Sequence, residues 1–400
     1  MQSRKAKFII LSILALFVFF FSSDFGLIDV EKTSIITAIA IDKDDSGYLV
    51  TAQIAVPEAT DTNSENLKAQ IAGKGDTVGE AIKNLGDLSG WFPKLSFCNL
   101  ILIGKDLSNG DVVRVLDYFA KTLRVQDSAL VALADEKANS LLSLSTPLDN
   151  ISAFALQKIM LKNTGFDRDV SSTDVKTFCS GHYSPSASAY MPIVKAILAE
   201  EESGKSTPAA SSSSSSEQSG GGKKDDGKNL FDATTTALFL GGKMVGELDS
   251  DQTLAFNAVT SSFGGTTFSV KDVPFNGQNT NYLLTVNSCN SSVCVVADDY
   301  GVNLKIDLKL NCKISDHNAD GSNEALSQNK PLPQLVKEKA QKYFKENIEK
   351  VIETEISSGC DIFKVKEKLY RFNNKQYSRY KDNFLSVLTH SVSVTVEGPK

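Results

Sequence analysis

The residues with the clearest chemical potential lie in one short stretch, residues 179–184, which reads Cys-Ser-Gly-His-Tyr-Ser. It brings a thiol, several hydroxyls and an imidazole together in what we predict to be a polar turn. A histidine beside a cysteine can take the thiol proton and create a nucleophile. Such pairs are usually assembled from residues far apart in the sequence. We therefore interpret Cys179 and His182 as structural and predict no catalytic residue here.

Metal and disulfide chemistry would draw on six cysteines and three histidines. A zinc site needs a Cys-x-x-Cys pair or clustered histidines; neither pattern occurs, so we predict no metal ligand. An even number of cysteines permits disulfides in an exported chain. Cys289 and Cys294, on either side of Asn-Ser-Ser, could close a small loop. Plain buried thiols are the other interpretation.

Known catalytic and cofactor motifs are missing from the sequence. There is no G-x-S-x-G, no H-E-x-x-H and no glycine-rich loop that ends in Lys-Ser/Thr. Residues 73–75, Gly-Lys-Gly, begin like a nucleotide fingerprint, but residues 76–78 lack the third glycine. His390 lies on an apolar strand face, where a structural histidine is more common than a catalytic one. We predict a protein that is not an enzyme and holds no cofactor.

The overall charge argues against nucleic acid as a partner. The chain has 400 residues with 42 Lys and Arg against 48 Asp and Glu, a net charge of −6. Binding to nucleic acid without sequence preference needs a basic surface. With 41% apolar and 22% charged residues, the composition is that of a globular protein of two or three domains.

The N-terminus carries a membrane signal. Arg4, Lys5 and Lys7 precede an uninterrupted apolar run at residues 8–21, and this order keeps the N-terminus in the cytoplasm while the rest is translocated. The run spans roughly 21 Å, short of the roughly 30 Å hydrocarbon core. Residues 21–24, Phe-Ser-Ser-Asp, lack the small residues of a clean cleavage site. The length suits the core of a signal peptide and the poor cleavage site suits an anchor, so we expect residues 1–24 to be a signal or membrane-anchor segment of an extracytoplasmic protein, with residues 8–21 in the membrane.

Two mixed modules follow the anchor. Residues 200–229 are rich in serine and glycine and contain six consecutive serines; such a composition cannot bury apolar surface, which indicates a flexible linker, with a modified stalk as the other interpretation. The predicted domains are therefore 1–24, the α/β module 25–199, the linker 200–229 and the α+β module 230–400. The predicted fold class is α+β, with several modules and mostly antiparallel sheets.

Hydrophobic periodicity and turn residues predict the individual elements. A Thr77–Glu80 capping box opens one helix, and the glycines at 241–242 indicate a hairpin. Other predicted helices cover 111–123, 136–144, 150–161 and the long stretch 332–357. Predicted strands cover 33–41, 48–56, 99–104, 129–133, 234–240, 243–248, 302–314 and 388–396.

Five stretches, in order, resemble the Ger(x)C family, the membrane-associated C subunits of the germinant receptors of bacterial endospores. They are residues 35–48, 73–107, 137–151, 236–248 and 361–363, the last being Asp-Ile-Phe. The chain departs from the family at two places. Asp24 stands where the family has a lipid-modified cysteine, and Lys-Val-Lys at 364–366 replaces the usual Gly-Phe-Gly.

The resemblance implies a receptor subunit without catalytic residues, on the outer face of the spore inner membrane if the host sporulates. Its partners would be the membrane subunits of A and B type, and its role would be to assist germinant-triggered germination. The competing interpretation is an extracytoplasmic solute-binding or envelope scaffold protein. With no lipid-bearing cysteine, the apolar segment itself is the expected tether, and Met1 or Gln2 should remain at the N-terminus in the membrane fraction.

Overall fold

The computed structural model describes residues 11–14, 16–17, 33–45, 47–55, 68–110, 112–122, 125–149, 151–161, 169–198, 229–261, 264–275, 278–318 and 331–399. The predicted anchor lies outside this set except for residues 11–14 and 16–17, which are helical. The predicted linker 200–229 lies outside it except for Asn229. Within the described residues no helix is both long and apolar enough to cross a membrane.

From Thr33 onward, the described part of the chain contains fourteen strands and nine α-helices. The strands are β1 (Thr33–Asp44), β2 (Gly47–Ala55), β3 (Lys68–Gly75), β4 (Phe92–Lys94), β5 (Leu100–Ile103), β6 (Leu130–Ala134), β7 (Thr173–Asp174), β8 (Ser188–Leu198), β9 (Asn229–Leu240), β10 (Lys243–Leu248), β11 (Thr267–Phe275), β12 (Gln278–Ala297), β13 (Val302–His317) and β14 (Leu388–Glu397). The helices are α1 (Val78–Ser89), α2 (Val112–Thr122), α3 (Ala138–Ser143), α4 (Ser152–Leu161), α5 (Val175–Tyr183), α6 (Ser250–Thr260), α7 (Gln334–Ser358), α8 (Val365–Phe372) and α9 (Asn374–Tyr380).

The first sheet has the order β10-β9-β8-β6-β5-β1-β2-β3, with β4 beside β1 and β7 beside β6. Helices cover both of its faces. Ile39 and Ile41 of β1 face a core shared with α1, α2 and α5, whereas Ala38 and Ala40 face a smaller core shared with α3 and α4. Burial on both faces explains why β5 and β6 are apolar throughout.

Strand β9 joins the two halves of the chain. It pairs antiparallel with β8: Ser188 is opposite Leu240 at one end of the ladder, and Leu198 is opposite Asn229 at the other. Phe231 of β9 lies in the core with α3 and α4, while Leu238 lies in the core of the second sheet. The first strands of the C-terminal module therefore extend the sheet of the N-terminal module, and residues 199–228 connect two neighbouring strands of that sheet.

The second sheet has the order β11-β12-β13-β14. Alternate residues of β13, from Val302 to Cys312, are buried, which is the pattern of a strand with one face on a core. Helix α7 buries the stripe that includes Val336, Ala340 and Phe344 against this sheet. A stripe recurring every three to four residues is what an amphipathic helix needs to pack on one side.

Local signals in the sequence explain several element boundaries. Thr77 Oγ1 accepts a hydrogen bond from the Glu80 amide at 3.2 Å and caps α1, although the Glu80 carboxylate accepts from the Asp76 amide instead of closing the predicted box. Gly241 and Gly242 have φ values of 58° and 86°, and this left-handed pair forms the predicted turn between β9 and β10. Asp249 and Gln252 form a full capping box at the start of α6.

The predicted α+β fold class is confirmed. Among the described strands, seven pairings are antiparallel and five are parallel, so the sheets are mixed with an antiparallel majority. One local prediction is wrong: residues 179–183 belong to helix α5 and not to a polar turn. The Asp174 side chain accepts from the Thr177 amide and starts this helix, which outweighs the low helix propensity of the residues that follow.

Candidate functional site

The Cys179–His182 pair has no nucleophilic character in the structure. Burial, and then the negative charge of Asp117, raise the pKa of the Cys179 thiol to about 11. An activated cysteine has its pKa lowered instead. The Tyr183 hydroxyl donates to Asp117 at 2.7 Å, and the Lys121 ammonium lies 2.7 Å from the same carboxylate. These contacts join α5 to α2, so the stretch has a packing role.

The Gly-Lys-Gly stretch at the end of β3 also has a packing role. At Gly73 and Gly75 a Cβ would collide with the backbone of Ala81 in α1. The two glycines thus let α1 lie directly against the strand, which no larger residue would permit. The resemblance of this loop to a nucleotide fingerprint is explained by helix packing.

Asp42 connects two of the stretches that resemble the family. Its carboxylate is buried and accepts hydrogen bonds from the amides of Ala138 and Asn139 at 2.7 and 2.9 Å, which caps α3. At Gly104 a Cβ would collide with the Asp42 carboxylate, so the glycine makes room for the cap. Burial raises the pKa of Asp42, and the two amide donors oppose this shift.

The most distinctive polar cluster lies where the two modules meet. We define the junction cluster as Ser186, Ser188, Glu355, Cys360 and Asp361. Ser188 begins β8 and Ser186 lies two residues before it, while the other three residues lie at and after the end of α7. The carboxylates of Glu355 and Asp361 are 0% and 1% exposed.

Asp361 is the centre of the junction cluster. One oxygen accepts from the Val365 amide at 2.7 Å, and the other accepts from the Lys366 amide at 2.8 Å and from the Ser186 hydroxyl at 2.6 Å. Its own amide donates to Ser188 Oγ at 2.9 Å. The carboxylate of Asp361 thus accepts from two amides and one hydroxyl that would otherwise lack a partner. The two amide bonds cap α8, and the hydroxyl bond joins Asp361 to the N-terminal module.

Glu355 has the opposite environment. Both of its carboxylate oxygens are buried without a hydrogen bond of ordinary geometry, although the Asp361 carboxylate and the Phe363 backbone lie close to them. Burial, followed by the nearby charge of Asp361, raises the pKa of Glu355 well above its ordinary value. A proton on Glu355 would let its carboxyl group donate a hydrogen bond to Asp361. A single negative charge on the pair is therefore more favourable than two.

The cysteines do not form the predicted candidate bridge. All six are free thiols. Cys289 and Cys294 lie on β12, where Cys289 is buried and Cys294 is exposed. Five residues along an extended strand cover about 17 Å, whereas the Cα atoms of a disulfide lie about 4.4–6.8 Å apart. The interpretation as a closed loop is therefore wrong, and the segment between them is strand.

We expect one thiol, that of Cys294, to react rapidly with Ellman's reagent in the folded protein. Burial raises the pKa of the other five, to about 11 for Cys179 and Cys289 and to about 12 for Cys98, Cys312 and Cys360. The Cys294→Ser variant should lose the rapid phase, and urea should release all six thiols of the wild type. If only four thiols react in urea, two cysteines form a disulfide bridge and the assignment of six free thiols is contradicted.

The histidines His182 and His390 show no arrangement typical of a catalytic or metal-binding site. His390 is exposed on β14, and the His182 ring packs edge-on against Tyr183 with their centroids 4.7 Å apart. Within the ranges that the structure describes, no three His, Cys, Asp or Glu side chains are grouped so that they could hold a metal ion.

One cleft of about 630 Å³ lies beside α7. Several of its polar side chains contact one another or the backbone: the Tyr343 hydroxyl donates to Asp251 at 2.8 Å, and the Lys339 ammonium donates to the Lys271 carbonyl at 3.1 Å. Lys342 and Glu346, which also line the cleft, form an ion pair at 3.6 Å. A binding site presents polar groups that converge on a ligand, and these groups are directed at each other.

Comparison with known proteins agrees with this arrangement of modules. The family described as "Spore germination protein N-terminal domain" matches residues 27–196, and the family described as "Spore germination B3/ GerAC like, C-terminal" matches residues 234–397. These two matches, in this order, define a spore germination protein of the GerC type. The chain belongs to the Ger(x)C family.

A solved structure, "Crystal Structure of the GerBC protein", has the same fold, with a TM-score of 0.50 over 93% of this chain and 100% of that chain. The two sequences are 15% identical, so the likeness supports the architecture. Comparison with curated proteins gave no match. Asp42, Gly73, Gly104 and Asp361, which lie in the stretches that resemble the family, occupy the caps and close contacts described above.

Proposed function

We propose that the protein is a non-enzymatic subunit of a spore germinant receptor complex, tethered to the membrane by residues 8–21. The observation that carries this proposal is the ordered match of both germination domains over residues 27–196 and 234–397. Its extracytoplasmic placement rests on the basic residues before the apolar run. The partners would be membrane subunits of A and B type, and the role would be to assist germinant-triggered germination.

The join between the modules also favours a subunit over a solute-binding protein. A protein that closes two lobes on a ligand needs a hinge between them. Here β9 runs from the core of one module to that of the other, and the Ser186–Asp361 hydrogen bond adds a buried polar contact. Such a body presents fixed surfaces to partners.

Affinity purification of the tagged full chain from spore membranes tests the proposal. We expect membrane subunits of A and B type to be recovered, and mass spectrometry should find the N-terminus at Met1 or Gln2. A Leu14→Arg variant is the control, because a charge within the apolar run opposes membrane insertion by about 3 kcal/mol and should release the protein. A mature N-terminus near Asp24 would contradict the tether. Absence of both subunits, with strong thermal stabilisation by a single metabolite, would favour solute binding instead.

A further inference from the structure

An exposed aromatic patch surrounds the point where the chain enters the N-terminal module. We define the aromatic patch as Ile35, Leu88, Trp91, Phe92 and Phe97. Leu88 is 75% exposed, and Trp91 and Phe97 are 48% and 49% exposed. A single exposed apolar side chain is common on a protein surface. Several large ones near each other are typical of a surface that binds a partner or a membrane.

The local structure holds the patch in place. Helix α1 ends at Gly90, whose φ of 70° turns the chain away from the helix axis. The Trp91 amide donates to Ser89 Oγ at 3.2 Å, which fixes the turn. The ring of Pro93 lies so close to α1 that a Cβ at Gly86 would approach its Cδ to 3.0 Å. Trp91 and Phe92 are therefore presented on a short, packed turn.

The patch is adjacent to β1. Residues Thr33, Ser34 and Ile35 of β1 pair in parallel with residues 92–94 of β4, and Ser34 Oγ donates to the Phe92 carbonyl at 3.4 Å. The apolar run ends at residue 21, so eleven residues separate it from Thr33. Whatever their conformation, eleven residues reach at most about 40 Å. The connection therefore keeps Thr33, and the patch beside it, within about 40 Å of the end of the apolar run.

The chemistry of the patch fits a membrane interface. Tryptophan and phenylalanine with flanking lysine are the residues that favour the headgroup region. The Lys94 ammonium lies 5.6 Å from the centroid of the Phe97 ring. Lys83, which is ion-paired with Asp87 at 2.9 Å, lines the adjoining cleft with Trp91. An ammonium beside an aromatic ring can reach lipid phosphate while the ring enters the acyl boundary.

We propose that the aromatic patch rests in the headgroup layer of the membrane and orients the protein on it. This inference rests on the proposed tether and adds a second contact to it. Trp91 would enter the interface by roughly 5–10 Å, the depth usual for interfacial side chains. A tethered body would then hold one fixed orientation instead of rotating about its anchor.

Trp91 is the only tryptophan in the chain, so its fluorescence tests the inference directly. The full chain is reconstituted in vesicles of equal parts phosphatidylglycerol and phosphatidylethanolamine, with and without acyl-chain bromination. We expect bromination to lower the Trp91 emission about twofold and iodide in the buffer to quench it weakly, because the indole lies among lipids. The double variant Leu88→Ser/Phe97→Ser keeps the tryptophan and should lose most of the quenching by brominated lipid.

Leu148→Ser is the matched control, since Leu148 is exposed outside the patch, and it should behave like the wild type. Flotation of the vesicles separates the two proposals. If the protein floats with the vesicles but Trp91 is quenched by iodide and not by brominated lipid, the proposed membrane contact of the patch is wrong and the proposed tether stands. Shielding of Trp91 only after A and B type subunits are added would also overturn it in favour of a protein partner. A chain that does not float overturns both.

Discussion

Replacing Asp361 with alanine should lower the free energy of unfolding by about 3 kcal/mol. The variant leaves the amides of Val365 and Lys366 and the Ser186 hydroxyl without their acceptor. Each buried donor that loses its partner costs about 1–3 kcal/mol, so the loss of one acceptor for three donors should cost at least about 3 kcal/mol. Urea unfolding of the full chain in detergent, followed by circular dichroism, measures the change.

A matched control for Asp361 is Asp174→Ala, which removes another helix-capping carboxylate. The Asp174 cap, to the Thr177 amide, is exposed to solvent, so water can replace it and the loss should be about 1 kcal/mol. Ser186→Ala removes one hydrogen bond between the modules and keeps the cap of α8, so its loss of stability should fall between those of the other two variants. Equal losses for Asp361→Ala and Asp174→Ala would show that the junction cluster contributes no more than a surface cap.

Replacing Glu355 with glutamine should stabilise the protein by about 2 kcal/mol at pH 8. The folded state raises the pKa of Glu355 because it is buried beside Asp361. Above the ordinary pKa of glutamate the folded state therefore holds a proton that the unfolded state has released. The stability contributed by Glu355 is complete below that ordinary pKa and declines as the pH rises through the raised value. Glutamine stays neutral and avoids this decline.

The difference between Glu355→Gln and the wild type should consequently shrink as the pH falls toward the ordinary glutamate pKa. Chemical denaturation at several pH values measures it. Glu353→Gln is the control on the same helix, because Glu353 is exposed and its replacement should have little effect at any pH. A stability gain for Glu355→Gln that does not grow with pH would contradict the raised pKa.

Elements whose burial follows one simple period were predictable. The alternation from Val302 to Ile314 predicts β13, and the stripe through Val336 and Phe344 predicts α7, which begins at Gln334 and ends at Ser358. In both, one face packs on a core, so local pattern and tertiary structure agree. The predicted boundaries differ from those observed by up to three residues.

Elements held by distant contacts were not predictable. Residues 290–292, Asn-Ser-Ser, read as a loop, yet they lie inside β12 because Ser291 pairs with Leu308 of β13. Helix α5 contains Gly181, where a Cβ would approach the Ser188 carbonyl to 2.5 Å, so the glycine serves packing against β8. Sequence context alone does not contain these neighbours.

The junction cluster could be anticipated only in part. Asp361 belongs to a stretch that resembles the family, which marks the residue without explaining it. Its partner Ser186 lies 175 positions away in the chain, and the buried Glu355 appears in sequence as one more acid on the helix. The contact depends on β9 bringing the two modules together, and no local pattern encodes that.

The pairing of Leu198 with Asn229 has a consequence for how the chain tolerates cutting and insertion. The serine- and glycine-rich segment leaves and re-enters the fold at adjacent positions, so its length is free to change without moving either module. A protease that cleaves within residues 199–228 would leave two fragments joined by β8 and β9, with a shared sheet between them. The two fragments should therefore stay together without a covalent connection. A reporter domain inserted within residues 199–228 should likewise leave β8 and β9 paired.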